Sequence, residues 1–218
     1  MNEPARKIQW LAWGGLTLVI ATILLAFLVT QVKRRTPAAA PLPVYGQVAD
    51  FTLTNQNGRA VSLADLRGHP WVADIIFTTC PGPCRKMTRQ MKELQHALPP
   101  GSRAKLVSLT TFPAFDTPAV LKAYAEQFGA DPNRWLFLTG AKTEINRLAV
   151  DSLKLTAIEK KPEDRESPDD LFIHSTIFVI VDKQAQLRGV FETTGDDIDP
   201  KKVQAQILAA LKQLEQEG

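Results

Sequence analysis

The only two cysteines of this 218-residue chain stand four positions apart, in Thr78-Thr79-Cys80-Pro81-Gly82-Pro83-Cys84, directly after a largely apolar run. A paired thiol at the end of a buried strand performs redox chemistry, binds a soft metal, or does both. Positions four apart on a regular helix hold their Cβ atoms about 5–6 Å apart, whereas a disulfide needs about 3.5–4.5 Å. Pro81 and Pro83 disfavour helical geometry at the residue before each, and Gly82 opens backbone angles closed to other residues. The loop can therefore bend the two sulfurs together and leave Cys84 near the N-terminus of the following helix. Unsatisfied N–H groups and the helix dipole there favour a thiolate. Arg85 adds a cation beside Cys84, which is expected to depress its thiol pKa. A purely structural disulfide would gain little from closing so short a loop.

Three histidines could complete a site. His69 lies in a Gly-His-Pro turn and His96 late in the cysteine helix, and both read as solvated surface residues. His174, in Leu171-Phe172-Ile173-His174-Ser175, differs because it immediately precedes an apolar strand. Met87 and Met91 are soft donors too, but their spacing on one helix face reads as core packing.

The elements that must position these groups follow from periodicity and turn chemistry. Residues 51–54 and 60–63 around Asn55-Gln56-Asn57-Gly58 predict a hairpin. Residues 71–77 predict a buried strand interrupted by Asp74, and 85–98 an amphipathic helix with Met87, Met91, Leu94 and Leu98 on one face. A strand is expected at 104–109. A helix is expected over Pro118–Phe128, with Asp116-Thr117 capping and Pro118 in its first turn. Next come a short strand at 135–138, a short helix at 143–150 and a charged, proline-containing loop at 159–170. Paired strands at 176–181 and 188–192 precede a closing helix over Pro200–Gln216. Strands alternating with helices imply an α/β fold whose sheet is covered on both faces.

The front of the chain is different. No charge occurs over 8–32, and 10–30 is almost continuously apolar, the length that crosses a bilayer core. Cations flank it at Arg6, Lys7, Lys33, Arg34 and Arg35, too evenly for the positive-inside rule to orient it. The run exceeds a signal-peptide core, so an uncleaved membrane anchor is expected over 1–35. A Pro/Ala-rich spacer follows over 36–47, then one domain over 48–218. The net charge is +3, with five Lys/Arg and one Asp/Glu in residues 1–35, leaving 21 against 22 in the remainder. A near-neutral domain without a basic stripe excludes nucleic acid as a partner.

Taken in order, these residues resemble the Sco/SenC proteins. The resemblance is carried by Leu66-Arg67-Gly68, the strand into Thr79-Cys80-Pro81-Gly82-Pro83-Cys84, Asp116-Thr117-Pro118 with Leu121-Lys122-Ala123-Tyr124-Ala125, Leu138-Thr139-Gly140, and His174-Ser175 before a strand. It spans about residues 48–195. It implies a thioredoxin-like, peroxiredoxin-related central sheet flanked by helices, plus one N-terminal transmembrane helix in the bacterial inner membrane, with the soluble domain in the periplasm. It also implies that Cys80, Cys84 and His174 bind copper for delivery to the copper-bearing subunit of cytochrome c oxidase, with an upstream copper donor or thiol reductant as a further partner. Two thiolates and an imidazole suit Cu(I). A movement of the 159–170 loop is expected to bring His174 to the sulfurs when copper binds. The chain departs from the family pattern at Arg85, where a proline usually follows the second cysteine. It departs again at Phe112-Pro113, where an acidic residue usually precedes the proline, and loss of that carboxylate is expected to alter copper handling.

Copper carriage is one reading. The other is a thiol–disulfide oxidoreductase using Cys80 and Cys84 as a redox-active pair on cysteines of the oxidase subunit or other periplasmic proteins. A peroxiredoxin-type peroxidase needs a proline and a Thr or Ser upstream of its cysteine, and the matching positions here hold Ala73 and Phe77. Zinc could use the same three ligands with water, but no general base is identifiable for such an enzyme.

Overall fold

The computed structural model describes residues 3–35, 40–167 and 170–217. It divides into two compact units, Met1–Pro41 and Leu42–Gly218. In the first, α1 (Glu3–Arg35) is a single helix of 33 residues. Large apolar side chains stand exposed along it, among them Trp10, Trp13, Leu18 and Leu25, while Thr17 and Thr22 return their hydroxyls to the helix's own carbonyls. Among the described residues, no helix is long and apolar enough to cross a membrane. The transmembrane helix expected over 1–35 is therefore not shown. Residues 36–39 of the expected spacer lie outside the described residues.

The second unit opens with β1 (Gly46–Gln47), β2 (Thr52–Asn55), β3 (Ala60–Ser62) and the short α2 (Leu63–Leu66). The strand β4 (Trp71–Ile76) leads to the cysteines and α3 (Pro83–Ala97) leads away from them. Then follow β5 (Lys105–Thr110), α4 (Pro118–Phe128), β6 (Trp135–Thr139) and α5 (Lys142–Asn146), which runs into a π-helical turn at Arg147–Ser152. A small ribbon, β7 (Ala157–Glu159) and β8 (Phe172–His174), precedes β9 (Ile177–Val181), β10 (Gln186–Glu192) and α6 (Pro200–Gln216).

Eight strands form one sheet in the order β1-β10-β9-β4-β5-β6-β2-β3. The central β4, β5 and β6 run parallel, and β9 joins β4 antiparallel. This is the thioredoxin-like α/β arrangement that the resemblance implies. All six residues of β4 are buried, as befits a strand covered on both faces. Alternation divides it: Trp71, Ala73 and Ile75 enter one core cluster, while Val72 and Ile76 enter the other, together with Cys80, Cys84, Met87, Met91 and residues of α4 and α6.

One buried ion cluster ties the start of this unit to its end. A bulge in β10 falls at Arg188, and bulges re-aim side chains. The guanidinium reaches Asp182 at 2.7 Å and Glu217 at 3.0 Å and donates to the carbonyls of Leu42 and Pro43. The end of the Pro/Ala-rich stretch is thus part of the domain. Removing one member of a buried pair strands the other charge, so Arg188→Ala should destabilise the chain by about 3–5 kcal/mol, read as a lower urea midpoint followed by circular dichroism.

Candidate metal centre

The helix that carries Cys84 begins earlier than periodicity suggests. Gly82 is the N-cap of α3 and Pro83 its first residue, where the missing N–H costs nothing and the fixed φ suits the first turn. Cys84 is therefore inside the first turn, its side chain 0% exposed, while Cys80 on the loop is 5% exposed. Cys80 N–H donates to the Phe77 carbonyl at 3.2 Å, which folds the loop back against the end of β4. Both cysteines are free thiols.

His174 closes the site. Its Nε2 lies 3.1 Å from Cys84 Sγ and 3.8 Å from Cys80 Sγ, and the three donor atoms all lie within 4.8 Å of one another. Among the described residues this is the only such group of metal-ligating side chains. The other ring nitrogen, Nδ1, stands 3.2 Å from the Ser175 carbonyl. A carbonyl only accepts, so Nδ1 carries the proton and Nε2 is turned to the sulfurs. The imidazole sits edge-on to Phe77 with ring centroids 5.8 Å apart. The ribbon fixes its height: Ala157 pairs with His174, and Ser175 N–H donates to the Thr156 carbonyl at 2.9 Å. The imidazole is already beside both thiols, so the expected loop movement is not needed to bring it there. A Lys160–Asp170 ion pair of 2.6 Å closes the 159–170 loop upon itself; residues 168–169 lie outside the described residues.

The two thiols are unlike. The hydrogen bond with Cys84 is the main influence holding the Cys80 thiol down, at about 4, against the opposing effect of burial, with the N–H groups of Cys84 and Gly82 assisting. Burial pushes the Cys84 thiol well above its ordinary value, and the neighbouring Cys80 adds to the rise. The expectation that Cys84 would be the depressed thiol is thus reversed. Helix-start position counts for less than complete burial beside a second sulfur. The Arg85 guanidinium, expected to assist, lies instead over the Phe128 ring at 5.8 Å.

A cavity of about 560 Å³ opens beside the pair, with Cys80, Pro81 and Pro83 on one wall and Lys160, Asp170 and His174 on the other. Cys80 and His174 face this opening, and Cys84 stands behind them. His69 and His96 are outside the cluster; His69 Nδ1 is held by the Arg103 carbonyl at 2.9 Å. Met87 and Met91 are 0% exposed within the core. Phe112 packs on Phe172 with centroids 5.5 Å apart.

Residues 43–212 match the family described as SCO1/SenC. The chain belongs to the SCO1/SenC family. A Bacillus subtilis protein, "SCO1 protein homolog", is 37% identical over 162 residues, covering 72% of this chain and 81% of the relative. The solved structure of BsSco, described as a member of the Sco family of cytochrome c oxidase assembly proteins with a disulfide switch, superimposes with a TM-score of 0.68 at 31% identity, over 82% of this chain and 100% of that one. Bradyrhizobium japonicum ScoI, solved with copper bound, shares the fold with a TM-score of 0.63 at 24% identity, over 78% of this chain and 99% of that one.

Asp74 is a buried acid whose consequence composition and periodicity did not reveal, although a lone carboxylate in an apolar strand is its signal. Alternation turns it to the face of Val72 and Ile76, and both its carboxylate oxygens are buried without a hydrogen-bond partner. Burial raises its pKa to about 7. An acid whose folded pKa is raised contributes stability below its unfolded value of 3.8, and that contribution is lost as pH rises through about 7. Asp74→Asn removes the cost of burying the charged carboxylate, so it should stabilise the protein at pH 8 relative to pH 4, by up to about 4 kcal/mol on the linkage scale of about 1.4 kcal/mol per pKa unit. Denaturant unfolding at the two pH values reads the difference.

Proposed function

We propose that this chain carries copper, bound as Cu(I) by Cys80, Cys84 and His174, and passes it to the copper-bearing subunit of cytochrome c oxidase. The observation that supports the reading is the convergence of two sulfurs and one imidazole nitrogen, with the nitrogen's partner already fixing its tautomer. Soft sulfur donors with an imidazole favour Cu(I) over hard cations. Cys80 offers a ready thiolate at the cavity wall, so an arriving ion meets it first. Cys84 must give up its proton when the ion binds, which couples loading to proton release. Release can begin from the cavity side, where an acceptor's ligands reach past Cys80 and His174.

A second reading is favoured by the inequality of the two thiols. In thiol–disulfide exchange the Cys80 thiolate would attack a partner protein's disulfide, forming a mixed disulfide and releasing one partner thiolate. Cys84, losing its proton, would then attack the Cys80 sulfur and release the second partner thiolate. Two electrons pass to the partner and a Cys80–Cys84 disulfide remains. The two readings share the cysteines and part at His174. Anaerobic Cu(I) titration of the reduced full chain in detergent, against a competing chelator, should give one tightly held ion. His174→Ala should lower the affinity at least about 10-fold, as loss of one ligand from a three-donor set requires, while exchange with a test disulfide continues. Absence of Cu(I) binding with rapid exchange would overturn copper carriage in favour of the second reading.

Attachment to the bacterial inner membrane through residues 1–35, with the domain on the periplasmic side, belongs to the same proposal. It is supported by the uncharged stretch 8–32 and the exposed apolar side chains of α1. The full chain should stay with membranes after alkaline carbonate washing, and a chain lacking residues 1–35 should wash free. Release of both would refute the tether.

A further inference from the structure

Asp116 was expected to help cap α4, but Thr117 is the N-cap and Asp116 turns inward, 0% exposed. One carboxylate oxygen accepts from the Thr78 hydroxyl at 2.5 Å. The other accepts from the Thr78 N–H at 3.2 Å and the Thr110 hydroxyl at 2.5 Å. A buried carboxylate with three donors is a strong, directional anchor. What it anchors lies on both sides of the metal centre.

On one side is Thr78, two residues before Cys80, at the point where the chain leaves β4. On the other side is the turn after β5. Asp116 N–H donates to the Phe112 carbonyl at 2.9 Å, and Phe112 N–H donates to the Thr110 hydroxyl at 2.9 Å. The Phe112 ring packs on Phe172, Phe172 packs on Phe77 with centroids 5.2 Å apart, and Phe77 packs on His174. Asp116 thus touches no ligand yet is joined by hydrogen bonds to the cysteine loop and by three ring contacts to the imidazole.

We infer that Asp116 is the positioning residue that sets Cys80 relative to His174. Its carboxylate fixes Thr78 against the end of β5 and so fixes where the loop to Cys80 begins. Its main chain fixes Phe112, the first of the rings that stop Phe172 and the neighbouring His174 from withdrawing. The role depends on acceptor geometry and not on charge. An asparagine can turn its oxygen to Thr78 N–H and Thr110 and its NH2 to the Thr78 hydroxyl, which then accepts. An alanine leaves three donors without an acceptor.

The test has two readouts on the full chain in detergent. In the reduced, metal-free protein, NMR cross-peaks between the His174 ring and the Cys80 and Cys84 side chains report the juxtaposition directly. Asp116→Ala should weaken those to Cys80, and Asp116→Asn should keep them. Outer-shell partners of metal ligands are commonly worth about 10–100-fold in affinity, so Asp116→Ala should lose Cu(I) affinity in that range while Asp116→Asn stays close to the parent. The Cu(I) measurement rests on the proposed copper reading; the NMR measurement does not. A parent chain that fails to bind Cu(I) therefore refutes that reading and leaves the cross-peaks to decide the role of Asp116. A folded Asp116→Ala with parental cross-peaks, or an Asp116→Asn that fails equally, overturns the inference. Should Asp116→Ala not fold, Thr78→Val decides: weakened Cys80–His174 cross-peaks support the anchor, and parental cross-peaks refute it.

Discussion

The approach of an imidazole nitrogen to a fully buried sulfur, His174 Nε2 to Cys84 Sγ at 3.1 Å, is the contact on which the rest of the domain turns. Neither partner is placed by its own element alone. Cys84 is carried inward by the first turn of α3, and His174 is carried across by the ribbon that precedes β9. The contact exists because the two segments end at the same edge of one core, where Phe77 and Phe172 fill the space between them. A buried polar group without a partner costs more than a made hydrogen bond gains, so each group stabilises the burial of the other.

Burial also makes the two thiols unequal. Cys80 lines an open cavity and is held as a thiolate by hydrogen bonds, whereas Cys84 lies behind it and resists ionisation. A site with one thiolate at its mouth and one thiol at its floor accepts an electrophile from outside and completes its grip from within. A soft cation and a disulfide sulfur are both electrophiles of that kind, so the same pair serves either chemistry. The imidazole separates the two uses, since only metal binding requires it.

Much of this was legible in the residues, for local reasons. The helices over Pro118–Phe128 and Pro200–Gln216 stand as expected, because proline in the first turn is a signal read within a few positions. The chemical trio of Cys80, Cys84 and His174 was visible from residue type and from family likeness. Non-local features were hidden. The two residues of β1 become a strand only because β10 lies beside them, and the ribbon of β7 and β8 adjoins a charged segment whose composition reads as loop. The order of the two thiol pKa values is set by depth of burial, which sequence does not show, whereas it does show helix position. Asp116 reads as a capping residue until the fold shows Thr78 and Thr110 converging on it.

Copper K-edge X-ray absorption of the Cu(I)-loaded full chain reads which atoms hold the ion. Binding by Cys80, Cys84 and His174 gives a first shell of two sulfur scatterers and one nitrogen, with the outer-ring scattering of a single imidazole. A shell of sulfur alone, or one without sulfur, would contradict it.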